Sequence, residues 1–395
     1  MPVFSFFNSH TISQIIILIL FVIIISKPDL RSSLLPINKT LKILLFVFFL
    51  SQSLSIINAV NIDEFLSVYK NLTVGFIFFI VAIVEINSRD HIKKIIQIFV
   101  ISIVVNLSAQ LIYYFGQDSM VNVLQVFLYP KYWEVVKLNL IRDRFFIEMQ
   151  EPALIPILIY LGIKSPSKKY TFFYFLLWIL EIFLSTISNF RSLFFMAIVS
   201  TYISLFYMVK KIKYSLFLTS LLIMVFIITG YISAFYANRN TIDRIVFATK
   251  EETQTLISRI DLWKYSLDLG KAFSLTGVGL GNFYEYLPFK YHHTGTTNPN
   301  QIKLNFLSSH NPHNIIFELL SETGFIGLCS YIFLLIYFIR TDKDIFSNKK
   351  KEIYPFIISF WTLFLYAAWN PAFTTSFWIL FWVLRVLIIN YNRNE

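Results

Sequence analysis

The sequence predicts an all-α polytopic membrane protein, and three observations lead to this fold class. The chain of 395 residues is 56% hydrophobic, with a mean hydropathy of +0.64. Only 14% of its residues are charged, whereas soluble domains carry about 25%. Apolar runs of roughly 20 residues recur, and about 20 helical residues cross the hydrocarbon core of a bilayer. Because no water satisfies backbone polar groups there, the runs form helices.

Eleven apolar runs are candidate transmembrane spans, and we expect them to form one integral membrane domain over residues 1–395. The first run has neither a basic leader nor a cleavage site of small residues, so we expect it to be retained as a span. The spans are predicted at 9–26, 40–60, 71–87, 95–115, 152–164, 170–187, 191–209, 214–236, 313–339, 354–370 and 373–391.

Lysines and arginines are concentrated in every second connection between the predicted spans. They fill the first, third, fifth, seventh and ninth connections and are scarce in the short even ones. The positive-inside rule therefore predicts an N-terminus outside and a C-terminus in the cytoplasm. This pattern also explains most of the net charge of +11 without a nucleic-acid partner.

Two long connections, 116–151 and 236–312, then lie outside the membrane, and loops of this length are usually functional. Within the larger one, residues 257–271 predict an amphipathic helix with Ile260, Trp263 and Leu267 on its apolar face. Such a helix would lie on the membrane surface with Trp263 at headgroup level. Its polar face carries Arg259, whose planar guanidinium suits phosphate oxygens.

Three glycines, Gly277, Gly279 and Gly281, follow this helix. They match neither a dinucleotide fingerprint nor a Walker sequence, so we predict a flexible or a tightly packed turn and expect no cofactor. A single cysteine, Cys329, excludes an internal disulfide and a thiolate metal cluster.

The segment from Asn311 to Asn314 predicts the start of the ninth span. Asn311 is a good N-cap and Pro312 is favoured at the first helical position, so His313 would project from the first turn. The positive helix end would form an anion site and lower the pKa of His313. A single histidine at an interface is more often a polar anchor. His310 is a secondary candidate, and His292 and His293 lack carboxylates at metal-ligand spacing, so no metal site is expected.

Further along the ninth span, Gly324 and Gly327 are expected to permit close helix approach. Glu318 and Glu322 in its first turns are expected either to face a cavity or to pair with arginines. Earlier in the chain, Arg191 lies at the tight connection between spans six and seven. There it either snorkels to the interface or faces a polar cavity.

The order of these elements resembles the family of O-antigen ligases and O-antigen polymerases. In that family a His-Asn pair ends the large outer loop and is followed nine residues later by Gly-x-x-Gly, as in His313-Asn314 and Gly324 to Gly327. Arg259 to Trp263 matches the family's Arg-x-x-x-Trp element, and Arg191 matches its Ser/Arg motif at a tight turn. A weaker match, Glu151-Pro152-Ala153, is similar to an element of polysaccharide polymerases.

The resemblance implies a bacterial cytoplasmic-membrane glycosyltransferase of the C type, metal-independent and inverting. Its donor would be an oligosaccharide on undecaprenyl pyrophosphate, bound by Arg191 and Arg259, with His313 as the catalytic residue. Asn314, Glu151 and Glu318 join His310 as secondary candidates. A flippase and a chain-length regulator are candidate partners.

Three functions fit this sequence. The Glu151 element favours a polymerase that joins lipid-linked repeat units. The first alternative is a ligase that transfers the glycan to lipid A-core. The second is a flippase for lipid-linked glycans, from which we would expect repeated halves or helices broken at the midplane rather than one large outer loop.

Overall fold

A computed structural model of the protein describes residues 38–86, 88–115, 151–187, 191–208, 250–286, 311–348, 350–370 and 372–393, together with a few residues between 18 and 26. These residues form helices and short turns, and no strand occurs among them. The predicted all-α class is therefore confirmed. The ten helices of this part of the chain are α1 (Lys39–Leu54), α2 (Ile62–Glu85), α3 (Arg89–Phe115), α4 (Ile155–Lys164), α5 (Lys168–Ile187), α6 (Arg191–Met208), α7 (Lys250–Ala272), α8 (Ile315–Ser347), α9 (Tyr354–Ala367) and α10 (Thr375–Arg393).

Four helical stretches in the described residues are long and apolar enough to cross a membrane. They are Lys39–Asn58, Ile62–Glu85, Arg89–Ser108 and Ile315–Ser347. Helices α4, α6, α9 and α10 are apolar but shorter. The predicted span at 214–236 and most of the span at 9–26 fall outside the described residues, so the number of eleven spans stays a prediction.

Helix α2 begins at Ile62, earlier than the span predicted at 71–87. The side chain of Asn61 caps it by accepting the N–H of Glu64 at 3.1 Å. Asp63 and Glu64 occupy the first turn, where carboxylates are stabilised by the positive end of the helix dipole. Hydropathy missed this turn because its charged residues strengthen a helix start while lowering its apolar character.

Contacts divide the chain into two compact units. The first comprises residues 1–87, 248–350 and 367–395, and the second comprises residues 88–247 and 351–366. In the second unit, α5 packs against α3, α4 and α6. The indole N–H of buried Trp178 on α5 donates to the hydroxyl of Thr201 on α6 at 3.0 Å.

The second unit also buries an acidic side chain that the sequence analysis did not single out. Glu181 on α5 is only 3% exposed, and one of its carboxyl oxygens has no hydrogen-bond partner among the described residues. Ionisable groups inside membrane bundles are costly and are usually retained for function. Glu181 is therefore a polar feature of this unit that hydropathy alone conceals.

In the first unit, α10 packs along α2, and a glycine sets how close the two helices come. A Cβ added at Gly75 would lie only 2.5 Å from the Cβ of Trp378. Trp378 and Trp382 are fully buried, and the ring of Trp382 lies 5.0 Å from that of Phe79 on α2. Large aromatic rings thus fill the space beside the small residue, as in other closely packed helix pairs.

A buried ion pair joins α10 to α8. The guanidinium of Arg385 donates to both carboxylate oxygens of Asp342, at 2.9 and 2.7 Å, and to the hydroxyl of Thr341 at 2.9 Å. It also lies 4.1 Å from the ring centroid of Phe338. Removing one partner of such a pair typically costs roughly 3–5 kcal/mol, because the remaining charge stays buried.

Helix α8 is broken at Gly324, where φ is 65° and ψ is −166°. A break leaves backbone N–H and C=O groups without helical partners, which is costly away from water. Residues 274–279 supply those partners from another segment. Val278 and Gly279 donate to the carbonyls of Ser321 and Glu322, both at 2.9 Å, while Phe325 and Ile326 donate to the carbonyls of Ser274 and Leu275, at 2.7 and 3.2 Å.

The Gly277–Gly281 segment is therefore a tightly packed turn, the second of the two predicted alternatives. All three of its glycines have positive φ. A Cβ at Gly277 would lie 2.3 Å from the carbonyl carbon of Glu322, so only glycine allows this backbone approach. The Glu322 side chain holds the far end of the segment by accepting the N–H of Gly281 at 2.8 Å. Glu322 was expected either to face a cavity or to pair with an arginine, whereas the contacts shown are to backbone N–H groups of the glycine turn and of Phe283.

The expectation for Gly324 needs correction as well. We predicted that Gly324 and Gly327 allow two helices to approach, but Gly324 instead allows the backbone of residues 275–277 to enter the broken helix. Gly327 lies near α1, since a Cβ there would be 3.3 Å from Nε2 of Gln52, and still closer to Thr323 of its own helix. A glycine within an apolar run indicates either arrangement, so the sequence did not distinguish them.

We expect Gly324→Ala to lower the thermal stability of the detergent-purified protein strongly. Its φ and ψ are almost restricted to glycine, a strain of about 1–3 kcal/mol for other residues. In addition, the new Cβ would lie 2.6 Å from the backbone of Gly277 and Leu275. The matched control is Gly162→Ala in α4, where the Cβ meets only the ring edge of Phe175, at 2.9 Å. Equal melting temperatures for the two variants, measured by fluorescence-detected gel filtration, would contradict this account.

Candidate functional site

His313 lies immediately before α8 and not in its first turn. The N-cap is Asn314, whose Oδ1 accepts the N–H groups of Ile316 and Phe317 at 2.9 and 3.3 Å. The prediction that Asn311 caps the helix, with Pro312 at its first position, is therefore wrong. Both asparagines are good caps by type, but Asn314 also donates its amide to the carbonyl of Ala368 at 3.0 Å. That tertiary bond favours Asn314.

The backbone of His313 adopts a left-handed conformation with φ of 53°, which is uncommon for a residue other than glycine. Its N–H donates to Oδ1 of Asn311 at 3.0 Å, so Asn311 stabilises a turn instead of a helix. Strained residues of this kind are enriched at functional sites. The side chain of His313 is half-buried.

Helix α7 covers the predicted amphipathic segment, and it also packs through residues that the sequence analysis did not single out. Ile260 and Leu267, predicted to face the membrane surface, are 39% and 41% exposed. Leu262 and Leu269 are buried instead, in a cluster with Phe283 of the turn that follows the glycines. The sequence analysis did not predict this buried face. Phe283, which covers it, comes from a later segment that folds back onto α7, and helical periodicity cannot reveal such a contact.

Trp263 connects α7 to the residue that precedes His313. Its indole N–H donates to the carbonyl of Pro312 at 3.0 Å. Its ring stacks on Phe317 in the first turns of α8, with centroids 5.3 Å apart and planes 12° apart. Arg259 lies one helical turn before Trp263 and thus on the same side of α7. The structure therefore brings Arg259, Trp263 and His313 together.

The environment of His313 disfavours its protonated form. Burial is the larger cause and the positive charge of Arg259 the second, and together they lower the pKa of His313 from 6.5 to about 4. The direction matches the expectation, although the causes are burial and Arg259 rather than the helix end. The imidazole is consequently neutral at physiological pH and able to accept a proton.

Asn314 and Glu318 hold the connection between α9 and α10 against the start of α8. The amide of Asn314 binds Ala368, and the carboxyl of buried Glu318 accepts the backbone N–H of Ala372. The two side chains are four residues apart and share one helix face. Glu318 was expected to face a cavity or pair with an arginine, whereas the contact shown is to the backbone.

This connection also brings a residue to the site that the sequence analysis missed. The ring centroid of Trp369 lies 5.9 Å from that of Trp263. A tryptophan at the end of a predicted span is commonly an interfacial anchor, so its type alone gave no functional signal.

The roles of Arg191, Glu151, His310, His292 and His293 stay predictions. Arg191 is the first residue of α6, and Glu151 begins a short 3-10 turn before α4. Their side chains lie outside the described residues, as do His310, His292 and His293. Among the described residues, no group of three or more His, Cys, Asp or Glu side chains is placed to hold a metal ion.

Comparison with protein families gives a match. Residues 171–332 match the model of the O-antigen ligase family. This confirms the resemblance, and the matched region includes Arg191, Arg259, the three loop glycines, His313 and Gly327. Glu151 lies outside it. A search of curated proteins finds no match. The family supports a membrane enzyme of the glycosyltransferase kind that acts on lipid-linked polysaccharide.

We expect Arg259→Ala to raise the pKa of His313, because it removes the positive charge that opposes protonation. Arg259→Lys retains a charge and should leave the pKa closer to that of the parent. Histidine-selective NMR titration would measure both, with the signal assigned by its loss in His313→Gln. In the parent protein, stability should fall as the pH drops from 6.5 toward 4, since the unfolded chain binds a proton that the folded site resists. An unchanged titration in Arg259→Ala would mean that Arg259 does not act on His313.

Proposed function

We propose that this protein is a polysaccharide polymerase that joins undecaprenyl-pyrophosphate-linked repeat units at the outer face of the bacterial cytoplasmic membrane. The observation that carries the proposal is the placement of Arg259 beside a neutral, half-buried His313. Both residues belong to the region that matches the O-antigen ligase family. A cation beside a proton acceptor suits a transfer in which an anionic group leaves and a hydroxyl attacks.

In the proposed reaction, an acceptor hydroxyl attacks the anomeric carbon of the donor sugar. The new glycosidic C–O bond forms as the bond from that carbon to the pyrophosphate oxygen breaks, with inversion in a single step. His313 accepts the hydroxyl proton, and undecaprenyl pyrophosphate leaves with the bonding electron pair. Arg259 and Arg191 stabilise the developing charge, which requires no metal in this scheme.

Donor binding would also adjust the basicity of His313. Arg259 opposes protonation of the imidazole in the substrate-free protein. A bound pyrophosphate would neutralise that effect and raise the pKa of His313 toward the working pH, where a general base is most effective. The site would therefore hold a weak base until the donor arrives.

The proposed topology has eleven spans in one membrane domain, with the N-terminus outside and the C-terminus in the cytoplasm. The apolar helices and the family support a bacterial inner-membrane protein. Support for the orientation comes from the alternation of basic connections, which also places 236–312 outside. Labelling of a cysteine introduced at position 295, in a Cys329→Ala background, tests it: failure to label from outside in spheroplasts would overturn the orientation.

Polymerase is preferred to ligase on the Glu151-Pro152-Ala153 element alone, since the family match includes both activities. For the flippase alternative, the structure changes one argument. A broken helix was expected of a transporter, and α8 is broken at Gly324. However, the break is filled by the protein's own turn at residues 274–279, whereas transporters use such breaks to line a substrate cavity. The broken helix therefore does not favour transport.

We expect His313→Ala to reduce the transfer rate by about 10²–10⁴-fold, the usual contribution of a general base, with unchanged protein abundance. The assay uses reconstituted enzyme and lipid-linked repeat units. The parent's acid limb for kcat/KM should lie near the pKa of about 4, and that for kcat at higher pH, because the donor raises the pKa of His313. A His313→Ala enzyme within a few-fold of the parent would leave His313 as an interfacial anchor.

Deleting the gene should leave cells with single repeat units, on the lipid carrier or on their final acceptor, and without long chains. The reason is that a polymerase makes the bond between units, whereas a ligase acts after that bond exists. Gel separation of the extracted glycans measures the outcome. Long chains accumulating on undecaprenyl pyrophosphate would establish the ligase alternative instead.

A further inference from the structure

Three aromatic side chains from three segments meet next to His313. Trp263 comes from α7, Phe317 from α8 and Trp369 from the connection between α9 and α10. Trp263 stacks on Phe317 with ring centroids 5.3 Å apart, and Trp369 is tilted by 54° at 5.9 Å from Trp263. Each ring is partly exposed, so this aromatic cluster is not part of a sealed core.

Polar contacts hold Trp263 and the connection that carries Trp369 in place. The indole N–H of Trp263 is fixed by the carbonyl of Pro312 at 3.0 Å. The connection that carries Trp369 is fixed on both sides, by Asn314 at Ala368 and by Glu318 at Ala372. Glu318 is only 3% exposed, so one of the groups that fix this turn is a buried carboxyl. A lipid-facing anchor needs no such fixed orientation, whereas a preorganised binding surface does.

The chemistry of the cluster suits a sugar ring. A pyranose has an apolar face of C–H groups, which packs on aromatic rings, and an edge of hydroxyls, which bind polar groups. The indole N–H of Trp369 has no hydrogen-bond acceptor among the described residues, and in such a complex it would donate to a hydroxyl. Arg259 and His313 supply further polar groups at the same place.

We propose that Trp369, with Trp263 and Phe317, forms the subsite that binds the acceptor sugar ring of the proposed transfer. The cluster adjoins Pro312, the residue before His313, so a sugar ring held there would lie close to His313. The inference rests on the proposed function. It adds the residues that bind the acceptor and assigns them to the sugar, not to the pyrophosphate.

The experiment measures binding separately from catalysis. Soluble oligosaccharide, released by mild acid from the organism's own lipid-linked units, is titrated into His313→Ala protein in nanodiscs and followed by saturation-transfer NMR. Adding Trp369→Ala should weaken binding about tenfold, the order of one aromatic contact. Trp369→Phe keeps a ring and should stay within about threefold. The matched control is Phe333→Ala, an aromatic residue on α8 that is 58% exposed. It should bind like the parent.

Thermal unfolding is used to check that both proteins are folded. Equal binding by Trp369→Ala and its parent would then overturn the proposal and leave the cluster as an interfacial anchor. The His313-containing enzyme is supplied with a preformed lipid-linked chain as donor and single lipid-linked units as acceptor. Trp369→Ala should then raise KM for the single unit and not for the chain. A rise confined to the donor would overturn the acceptor assignment. Failure of the proposed function would appear as a normal transfer rate in His313→Ala. The binding assay does not measure that rate, so failure of the function and failure of the subsite are distinguishable.

Discussion

The constraint on which this structure depends is that every backbone polar group in a membrane helix needs a partner. Helix α8 breaks at Gly324, and the missing bonds are made by residues 274–279. The turn that follows α7 thus completes the backbone hydrogen bonds of α8. Because the same turn begins where α7 ends, α7 is fixed relative to α8, and so is the side of α7 that carries Arg259 and Trp263. The three glycines, which match no nucleotide-binding motif, allow the backbone of this turn to pack against α8.

Two residues of the candidate site each make two contacts through different atoms. Asn314 caps α8 with its oxygen and holds Ala368 with its nitrogen. Trp263 binds the carbonyl before His313 with its indole edge and stacks on Phe317 with its face. Because each of these side chains makes two contacts, the position of His313 depends on several segments of the chain. The left-handed backbone of His313 is stabilised both by the local turn at Asn311 and by these tertiary contacts.

The sequence predicted the helical class because apolar runs of about 20 residues are a strong, local pattern, and the resemblance to the family singled out Arg259 and His313. It did not predict the start of α8, since Asn311 and Asn314 are equally good caps until the bond from Asn314 to Ala368 is known. The buried face of α7 was missed because Phe283, which covers it, arrives from a later segment. Trp369 was missed for the same reason, as its neighbour Trp263 lies far away in the chain.

The buried pair of Arg385 and Asp342 has a consequence for how the protein is made. Helix α8 is synthesised before α10, so Asp342 can pair with Arg385 only after α10 has been made. Asn390, also on α10, donates to the carbonyls of Ile83 and Ile86 at the end of α2, which was synthesised much earlier. The last helix therefore closes polar contacts with two earlier ones. Chains cut short before α10 would lack the arginine that neutralises Asp342 inside the bundle, where a buried charge is costly.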